Sequence, residues 1–192
     1  NAGSALAANG SAGMAMNVTH ISAATACLTW IIIEYVKFGK PSLVGIATGA
    51  IAGLATITPA SGFVGPVGAL VYGVASGVIC FYMINVVKSK WNIDDSLDVF
   101  AVHGVGGMLG TMLTAVFVSV ALGGNGLAEG MTIGSQLGVQ ALGIIIVAVW
   151  SGVLTAIIVM VLKMFLTFRV DEETEVQGLD LALHGERGYH NM

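Results

Sequence analysis

Five long apolar runs, separated by short polar connections, limit the folds that this chain can adopt. They cover about residues 14–36, 43–58, 67–87, 98–122 and 135–167. A helix rises about 1.5 Å per residue, so about 20 apolar residues cross the hydrocarbon core of a bilayer. Charged residues make up only 9% of the chain, against about 25% in soluble domains. The sequence therefore predicts an all-α, polytopic membrane helix bundle.

The basic residues predict which end of each span faces the cytoplasm. Threading five spans through a bilayer places all seven of them on one side: Lys37, Lys40, Lys88, Lys90, Lys163, Arg169 and Arg187. The connections on the other side carry a single charge, Glu129. Because Lys and Arg accumulate in cytoplasmic loops, we predict a multi-pass protein of the plasma (inner) membrane with a cytoplasmic C-terminus. The net charge of -4 does not indicate a nucleic-acid partner.

Three regions follow from this pattern. Residues 1–13 are rich in Gly, Ala, Ser and Asn and too polar to span, and we interpret them as the extracellular or periplasmic end of a preceding helix and its loop. Residues 14–168 hold the five transmembrane helices, and residues 169–192 form a cytoplasmic tail. Because the first region resembles the end of an earlier segment, we expect the chain to be part of a longer protein.

His103 is the first candidate functional residue. It lies five residues beyond Asp98, about 8 Å past the polar boundary of the fourth span at about 1.5 Å per residue. An ionisable side chain at that depth is costly and marks a functional-site candidate, although a neighbouring helix could also satisfy it. We find no lysine, arginine or carboxylate at a span centre, which favours passage of a small neutral molecule. The sequence contains no CxxC motif, Cys/His cluster or phosphate loop, so we predict no metal and no cofactor.

Glycine spacing predicts tight helix packing. The chain has 27 glycines among 192 residues, and small residues four apart let helix backbones approach closely. The four-residue spacing recurs within single spans at Gly45, Gly49 and Gly53, at Gly73 and Gly77, at Gly106 and Gly110, and at Gly134 and Gly138. We interpret most of these glycines as packing positions rather than substrate contacts.

Several short motifs resemble one transporter family. They occur in the family's order and cover nearly the whole chain: Asn1-Ala2-Gly3-Ser4, Gly39-Lys40-Pro41-Ser42-Leu43, Gly49 to Leu54, Thr58-Pro59-Ala60, Asp98-Val99-Phe100 with His103-Gly104-Val105, Val149 to Gly152, and Gly178-Leu179-Asp180 with His184-Gly185-Glu186. The chain resembles the C-terminal half of ammonium transporters of the Amt/Mep/Rh family, the bacterial members in particular. This resemblance implies an eleven-helix inverted-repeat fold in which the five spans are helices seven to eleven, a homotrimer, and a transport protein rather than an enzyme.

The resemblance also implies a mechanism and its residues. Ammonium is recruited at an outer site and deprotonated, and ammonia then passes through a hydrophobic pore that contains a histidine pair. His103 matches the second of these histidines, and Val99 and Ile51 match apolar pore-lining positions. Thr48 stands toward the inner vestibule. Methylammonium is the expected substrate analogue.

Two further positions and the tail carry implied roles. Ser4 matches the serine of the outer recruitment site. Asp98 matches an acidic residue at the cytoplasmic start of the tenth helix, where we expect its carboxylate to stabilise the helix N-terminus. The tail motif comprises Gly178, Leu179, Asp180, His184, Gly185, Glu186 and Tyr189. It resembles a regulatory tail that couples subunits and helps to bind a trimeric PII-type signalling protein, which makes lipid, other copies of the chain and a PII-type protein the expected partners.

Two alternatives remain open at this point. The protein could be an ammonium sensor that signals through its tail, or an intramembrane hydrolase that uses Ser61 or Ser76 with His103 as base. A hydrolase needs its serine within hydrogen-bond reach of the base. The other histidine of the membrane region, His20, departs from the family pattern, and we expect it to be incidental.

Overall fold

The computed structural model describes residues 1–186, and within that range it contains helices and turns but no β-strand. Residues 1–186 form six α-helices, with the bounds α1 Gly10–Phe38, α2 Leu43–Ile57, α3 Pro66–Asn85, α4 Val105–Phe117, α5 Ile133–Leu162 and α6 Glu172–Gln177. Among these described residues, five helical stretches are long and apolar enough to cross a membrane: Gly10–Phe38, Leu43–Ala60, Pro66–Lys90, Phe100–Phe117 and Ile133–Leu162. The predicted all-α, multi-span architecture is therefore confirmed.

The fourth and fifth spans end earlier than predicted. The fourth runs from Phe100 to Phe117 rather than on to residue 122, because Ser119 takes an extended ψ of 132° and leads into a separate 3-10 turn, Val120–Leu122. The fifth ends at Leu162 instead of near residue 167. Apolar composition continues beyond both ends, so hydropathy alone overestimates the helix lengths.

The chain forms two units, Asn1–Ile145 and Ile146–Met192, the second of which is described as far as Glu186. In the first unit α1 packs along α2 and α3, and α4 contacts the same two helices. Two buried clusters fill the space between them: Val18, Ile57, Ala60, Val64, Ala69 and Tyr72 form one, and Trp30, Ala52, Cys80 and Val102 form the other.

Glycines bring the helix backbones of the first unit into direct contact. A Cβ added at Gly53 would lie 2.5 Å from the Ser22 carbonyl oxygen, and one added at Gly110 would overlap the Thr56 carbonyl oxygen. Hydroxyls bind the same backbones across the interface. The Ser22 hydroxyl donates to the Gly53 carbonyl over 2.9 Å, and the buried Tyr72 hydroxyl lies 3.1 Å from the Gly110 carbonyl oxygen.

The packing role predicted from glycine spacing is confirmed in α2, α3 and α4 but not in α5. A Cβ at Gly138 would meet no other atom within 4 Å, and one at Gly134 would meet only a threonine hydroxyl at 3.9 Å. No residue of α5 is buried. Within the described residues of this chain, these two glycines therefore meet no neighbouring helix.

The second unit contains a short tail helix, α6, that is held by charged side chains. Asp171 precedes the helix, and its carboxylate accepts hydrogen bonds from the Thr174 amide at 2.8 Å and the Thr174 hydroxyl at 3.1 Å. The Arg169 guanidinium donates to Glu175 over 2.9 Å and 3.3 Å. These hydrogen bonds from Thr174 lower the pKa of Asp171, and the hydrogen bonds and charge of Arg169 lower the pKa of Glu175.

We expect Gly110→Ala to destabilise the first unit because the new methyl group would strike the Thr56 backbone. Overpacking of this kind costs about 1–3 kcal/mol. Gly107→Ala is the matched control, since it changes the same helix at a position with no atom within 4 Å of the added Cβ. Thermal unfolding of the full-length protein in detergent should give a lower midpoint for Gly110→Ala only. Equal midpoints for the two variants would contradict the packing described here.

Acid pH should loosen the tail helix, because a carboxyl whose folded pKa is lowered stabilises the fold above its unfolded pKa. That stability is lost as pH falls through the folded pKa. We expect Arg169→Gln to raise the pKa of Glu175 toward its ordinary value and to leave that of Asp171 unchanged as an internal control. Carboxyl-carbon NMR titration measures both groups, and an unchanged Glu175 titration would rule out the Arg169 contact.

Candidate pore face and inner cavity

His103 lies on a π-helical turn, Phe100–Gly104, that leads directly into α4. A π-turn inserts an extra residue into a helix and often occurs at functional sites. Ala101 and Val102 of this turn are buried, whereas His103 is exposed. The Val102 carbonyl accepts a long hydrogen bond from the Cys80 thiol, with a sulfur–oxygen distance of 3.8 Å. The turn therefore attaches its apolar residues to the core and leaves the imidazole on the open face of the unit.

The other predicted pore residues lie on neighbouring elements. Val99 is 55% exposed and Ile51 is 45% exposed, while Thr48 is half-buried. The π-helical turn contacts α2, so the elements that carry His103, Ile51 and Thr48 are in contact. Ser4 is exposed in a 3-10 turn, Gly3–Ala5, that contacts α1.

The helix-capping role predicted for Asp98 is wrong, and Asp95 fills it. The Asp95 carboxylate accepts hydrogen bonds from the amides of Val99 at 2.8 Å and Phe100 at 2.9 Å. Asp98 instead takes a left-handed backbone conformation with φ of 57°. Its carboxylate forms an ion pair with Lys88, with 2.7 Å between Nζ and Oδ1. Asp95 and Asp98 are three residues apart in the sequence. The backbone conformation between them determines which carboxylate reaches the amides of Val99 and Phe100.

A cavity of about 510 Å³ lies beside these residues and brings Thr48 and Asp98 to one site. It is also lined by Glu34, Lys37 and Tyr82. The Lys37 ammonium lies 4.4 Å from the centre of the Tyr82 ring, in range of a cation–π interaction. By the predicted orientation, this is the cytoplasmic end of the bundle, so we refer to it as the inner cavity.

Sequence analysis missed Glu34, a buried carboxylate of the inner cavity. Its side chain accepts hydrogen bonds from the Ser42 amide at 2.7 Å and the Ser42 hydroxyl at 3.0 Å. Ser42 in turn accepts the Gly45 amide at 2.9 Å and caps α2. A Cβ at Gly45 would overlap this carboxylate. The available signal was an acidic residue inside an apolar run, eight positions before a serine at a helix start.

The serines proposed for a hydrolase are engaged elsewhere. The Ser76 hydroxyl donates to the Gly73 carbonyl at 3.0 Å, and the Ser61 hydroxyl donates to the Thr58 carbonyl at 3.3 Å. Within residues 1–186, no hydrogen bond joins either serine to His103, and no cluster of His, Cys, Asp and Glu could hold a metal ion. This geometry gives no support to a serine–histidine pair.

The predicted tail residues follow α6 in the second unit. Asp180 begins and His184 ends a short π-helical turn, Asp180–His184, and Gly185 adopts a left-handed φ of 64° that favours glycine. Gly178 and Leu179 precede the turn and Glu186 follows it. Tyr189 lies outside the described residues.

Comparisons with known proteins agree with this architecture. Residues 1–189 match the model of the Ammonium Transporter Family. The chain is 44% identical over 192 residues to an ammonium transporter of Aquifex aeolicus, covering 99% of this chain and 44% of that protein. It is 38% identical to an ammonium transporter of Bacillus subtilis, covering 100% of this chain and 48% of that protein. The chain thus spans about half the length of the curated relatives it matches.

Solved structures show the same helical arrangement. A structure titled "Sensor Amt Protein" superposes with a TM-score of 0.85 at 33% identity, covering 95% of this chain and 44% of that one. Saccharomyces cerevisiae Mep2 superposes with a TM-score of 0.75 at 34% identity, covering 91% and 44% of the two chains. With five apolar helices long enough to span a bilayer and a family model matched along nearly its entire length, this integral membrane chain belongs to the Ammonium Transporter Family.

Proposed function

We propose that this chain supplies one half of an ammonium transporter and contributes His103 to its pore. The observation that carries this proposal is the π-helical turn of the fourth span, which buries Ala101 and Val102 but leaves His103 exposed. Val99 and Ile51 are exposed apolar residues on the elements around it. An imidazole among apolar side chains provides one hydrogen-bonding group in an otherwise dry passage.

The chemistry of the substrate suits such a passage. Ammonium is charged and strongly hydrated, so an apolar constriction penalises it far more than neutral ammonia. An outer site that includes the Ser4 hydroxyl receives the cation, which loses its proton before the narrow part. His103, together with a second histidine from the other half of the protein, then hydrogen-bonds ammonia and can carry the released proton. A histidine is suited to this role because its ordinary pKa is about 6.5.

The inner cavity serves as the exit in this scheme. Its carboxylates are both engaged, Glu34 with Ser42 and Asp98 with Lys88. A carboxylate that is already paired attracts a passing cation less than a free one. Thr48 also lines the cavity, and its hydroxyl donates to the Val44 carbonyl over 2.9 Å. The cavity can therefore hydrate the departing molecule without retaining it.

Topology and assembly complete the proposal. Residues 1–13 lie at the outer surface, residues 14–168 hold the five spans, and residues 169–192 form a cytoplasmic regulatory tail in the inner membrane. The protein assembles as a homotrimer, and the tail, including Gly178 and His184, contributes to binding a PII-type signalling protein. The cytoplasmic placement is supported by the positive charges at Lys37, Lys88 and Arg169.

Ammonium sensing is the second candidate function. It is favoured by one observation, the superposition with a structure titled "Sensor Amt Protein" at a TM-score of 0.85. A sensor would bind ammonium at the same outer site and transmit occupancy through the tail. An assay of substrate uptake distinguishes the two functions. A sensor that does not conduct gives ammonium-dependent signalling without substrate uptake.

We expect His103→Ala in the full-length protein to lower methylammonium uptake by about tenfold or more, the rate equivalent of one lost hydrogen bond of about 1.4 kcal/mol. His20→Ala is the matched control because His20 is an exposed histidine of α1 outside the proposed pore face. Uptake of radiolabelled methylammonium by cells with equal amounts of each variant measures the effect. Uptake at the unmodified level in His103→Ala would refute the pore role.

A further inference from the structure

An ion pair links the end of the third span to the start of the fourth, at a residue whose backbone φ is left-handed. The third span ends in a π-helical turn, Val86–Lys90, and the fourth begins with the π-helical turn that carries His103. Lys88 of the first turn pairs with Asp98, two residues before the second turn, at 2.7 Å. Both side chains are partly buried, with 38% of Lys88 and 20% of Asp98 exposed, so solvent screens the pair less than a pair on an open surface.

The ion pair contacts a residue with an uncommon backbone conformation. Asp98 has a left-handed φ of 57°, which aspartate adopts more readily than most residues with a side chain when its carboxylate has a local partner. The same residue supports the histidine turn, since its carbonyl accepts the amide of Val102 at 2.8 Å. Val102 is the residue immediately before His103. The conformation at Asp98 therefore bears on the position of the residue next to His103.

Lys88 is itself fixed to the core of the unit. The preceding residue, Val87, is completely buried, and its carbonyl accepts the Ile93 amide at 3.1 Å. The Lys88 side chain thus extends from a backbone held by the buried Val87 toward Asp98. Asp95 holds the amides on the other side of Asp98, but only Lys88 neutralises the Asp98 charge in the inner cavity among the described contacts.

We propose that Lys88 is a positioning residue for transport: its ion pair keeps Asp98 in the left-handed conformation that sets the turn on which His103 stands. This inference rests on the proposed pore role of His103. The same contact neutralises a carboxylate on the wall of the inner cavity. Loss of the lysine charge therefore affects movement through the pore rather than capture at the outer site around Ser4.

Methylammonium uptake by the full-length protein tests the proposal. We expect Lys88→Met to lower the maximal rate about threefold to tenfold, the range for losing a partly buried ion pair, with little change in KM. Lys88→Gln, which preserves more of the side-chain polarity, should likewise lower the maximal rate with little change in KM. Lys88→Arg keeps the charge and should retain most of the rate. Lys90→Met is the control, a lysine of the same turn outside the pair.

A double variant separates backbone positioning from a general loss of stability. Glycine adopts left-handed φ values without strain, so Lys88→Met/Asp98→Gly should recover at least about half of the rate lost in Lys88→Met. Two results would overturn the proposal: wild-type rates in both Lys88→Met and Lys88→Gln, or equal defects in Lys88→Arg and Lys88→Met. A double variant no faster than Lys88→Met would overturn it as well.

The hydrogen-exchange rate of the Val102 amide measures the effect of the Lys88–Asp98 ion pair on the backbone, independently of transport. We expect faster exchange of the Val102 amide in Lys88→Met than in Lys90→Met, because the acceptor at Asp98 moves. Unchanged exchange contradicts the proposal even if His103→Ala abolishes uptake, in which case the proposed function stands alone. A different result would refute the proposed function: normal uptake in both Lys88→Met and His103→Ala, even with faster Val102 exchange in Lys88→Met. The positioning role would then fail as well, because it rests on the pore role of His103.

Discussion

Direct contact between helix backbones is the constraint on which the first unit depends. In a bilayer the lipid tails are as apolar as the side chains, so helices associate through close packing and hydrogen bonds rather than by hiding apolar surface from water. Gly53 and Gly110 allow such contact with Ser22 and Thr56, and the hydroxyls of Ser22 and Tyr72 donate to the buried carbonyls of Gly53 and Gly110. These contacts set the positions of α1 to α4 and of the π-helical turn that carries His103.

The same packing explains how a polar group can be presented on one face only. Val102 is held in a buried cluster with Trp30, Ala52 and Cys80, and the adjacent His103 is exposed. Consecutive side chains of a helix point about 100° apart, so a buried residue can be followed directly by an exposed one. Two carboxylates of the inner cavity are engaged, Glu34 by Ser42 and Asp98 by Lys88.

Much of this architecture can be predicted from the sequence because its causes are local. Apolar runs of about 20 residues fix the number and order of spans, and glycines four apart predict close packing in α2, α3 and α4. The exposure of Val99, Ile51 and His103 on elements that contact one another is compatible with the pore positions implied by family motifs. Family membership follows from those motifs because they extend over nearly the entire chain.

The details that shape the inner end could not be predicted, because they depend on tertiary contacts. Glu34 interrupts an apolar run of the sequence, and its place there is explained by the hydrogen bonds that its carboxylate accepts from Ser42. Asp95, for which no role was predicted, binds the amides expected to be bound by Asp98, because Asp98 adopts a left-handed φ that no pattern of residue types indicates. Gly138 has the spacing of a packing residue, but no atom of this chain's described residues lies within 4 Å of a Cβ added there. Hydropathy and residue spacing predict which contacts a helix can make, and the neighbouring helices determine which of these contacts form.

The most direct measurement of the pore role is a high-resolution electron cryomicroscopy structure of the full-length protein in lipid nanodiscs. If His103 lines the pore, its imidazole will face a narrow passage closed to lipid and lie within hydrogen-bond distance of a second histidine. Density showing the His103 ring against acyl chains, with no passage beside it, would contradict the proposed function.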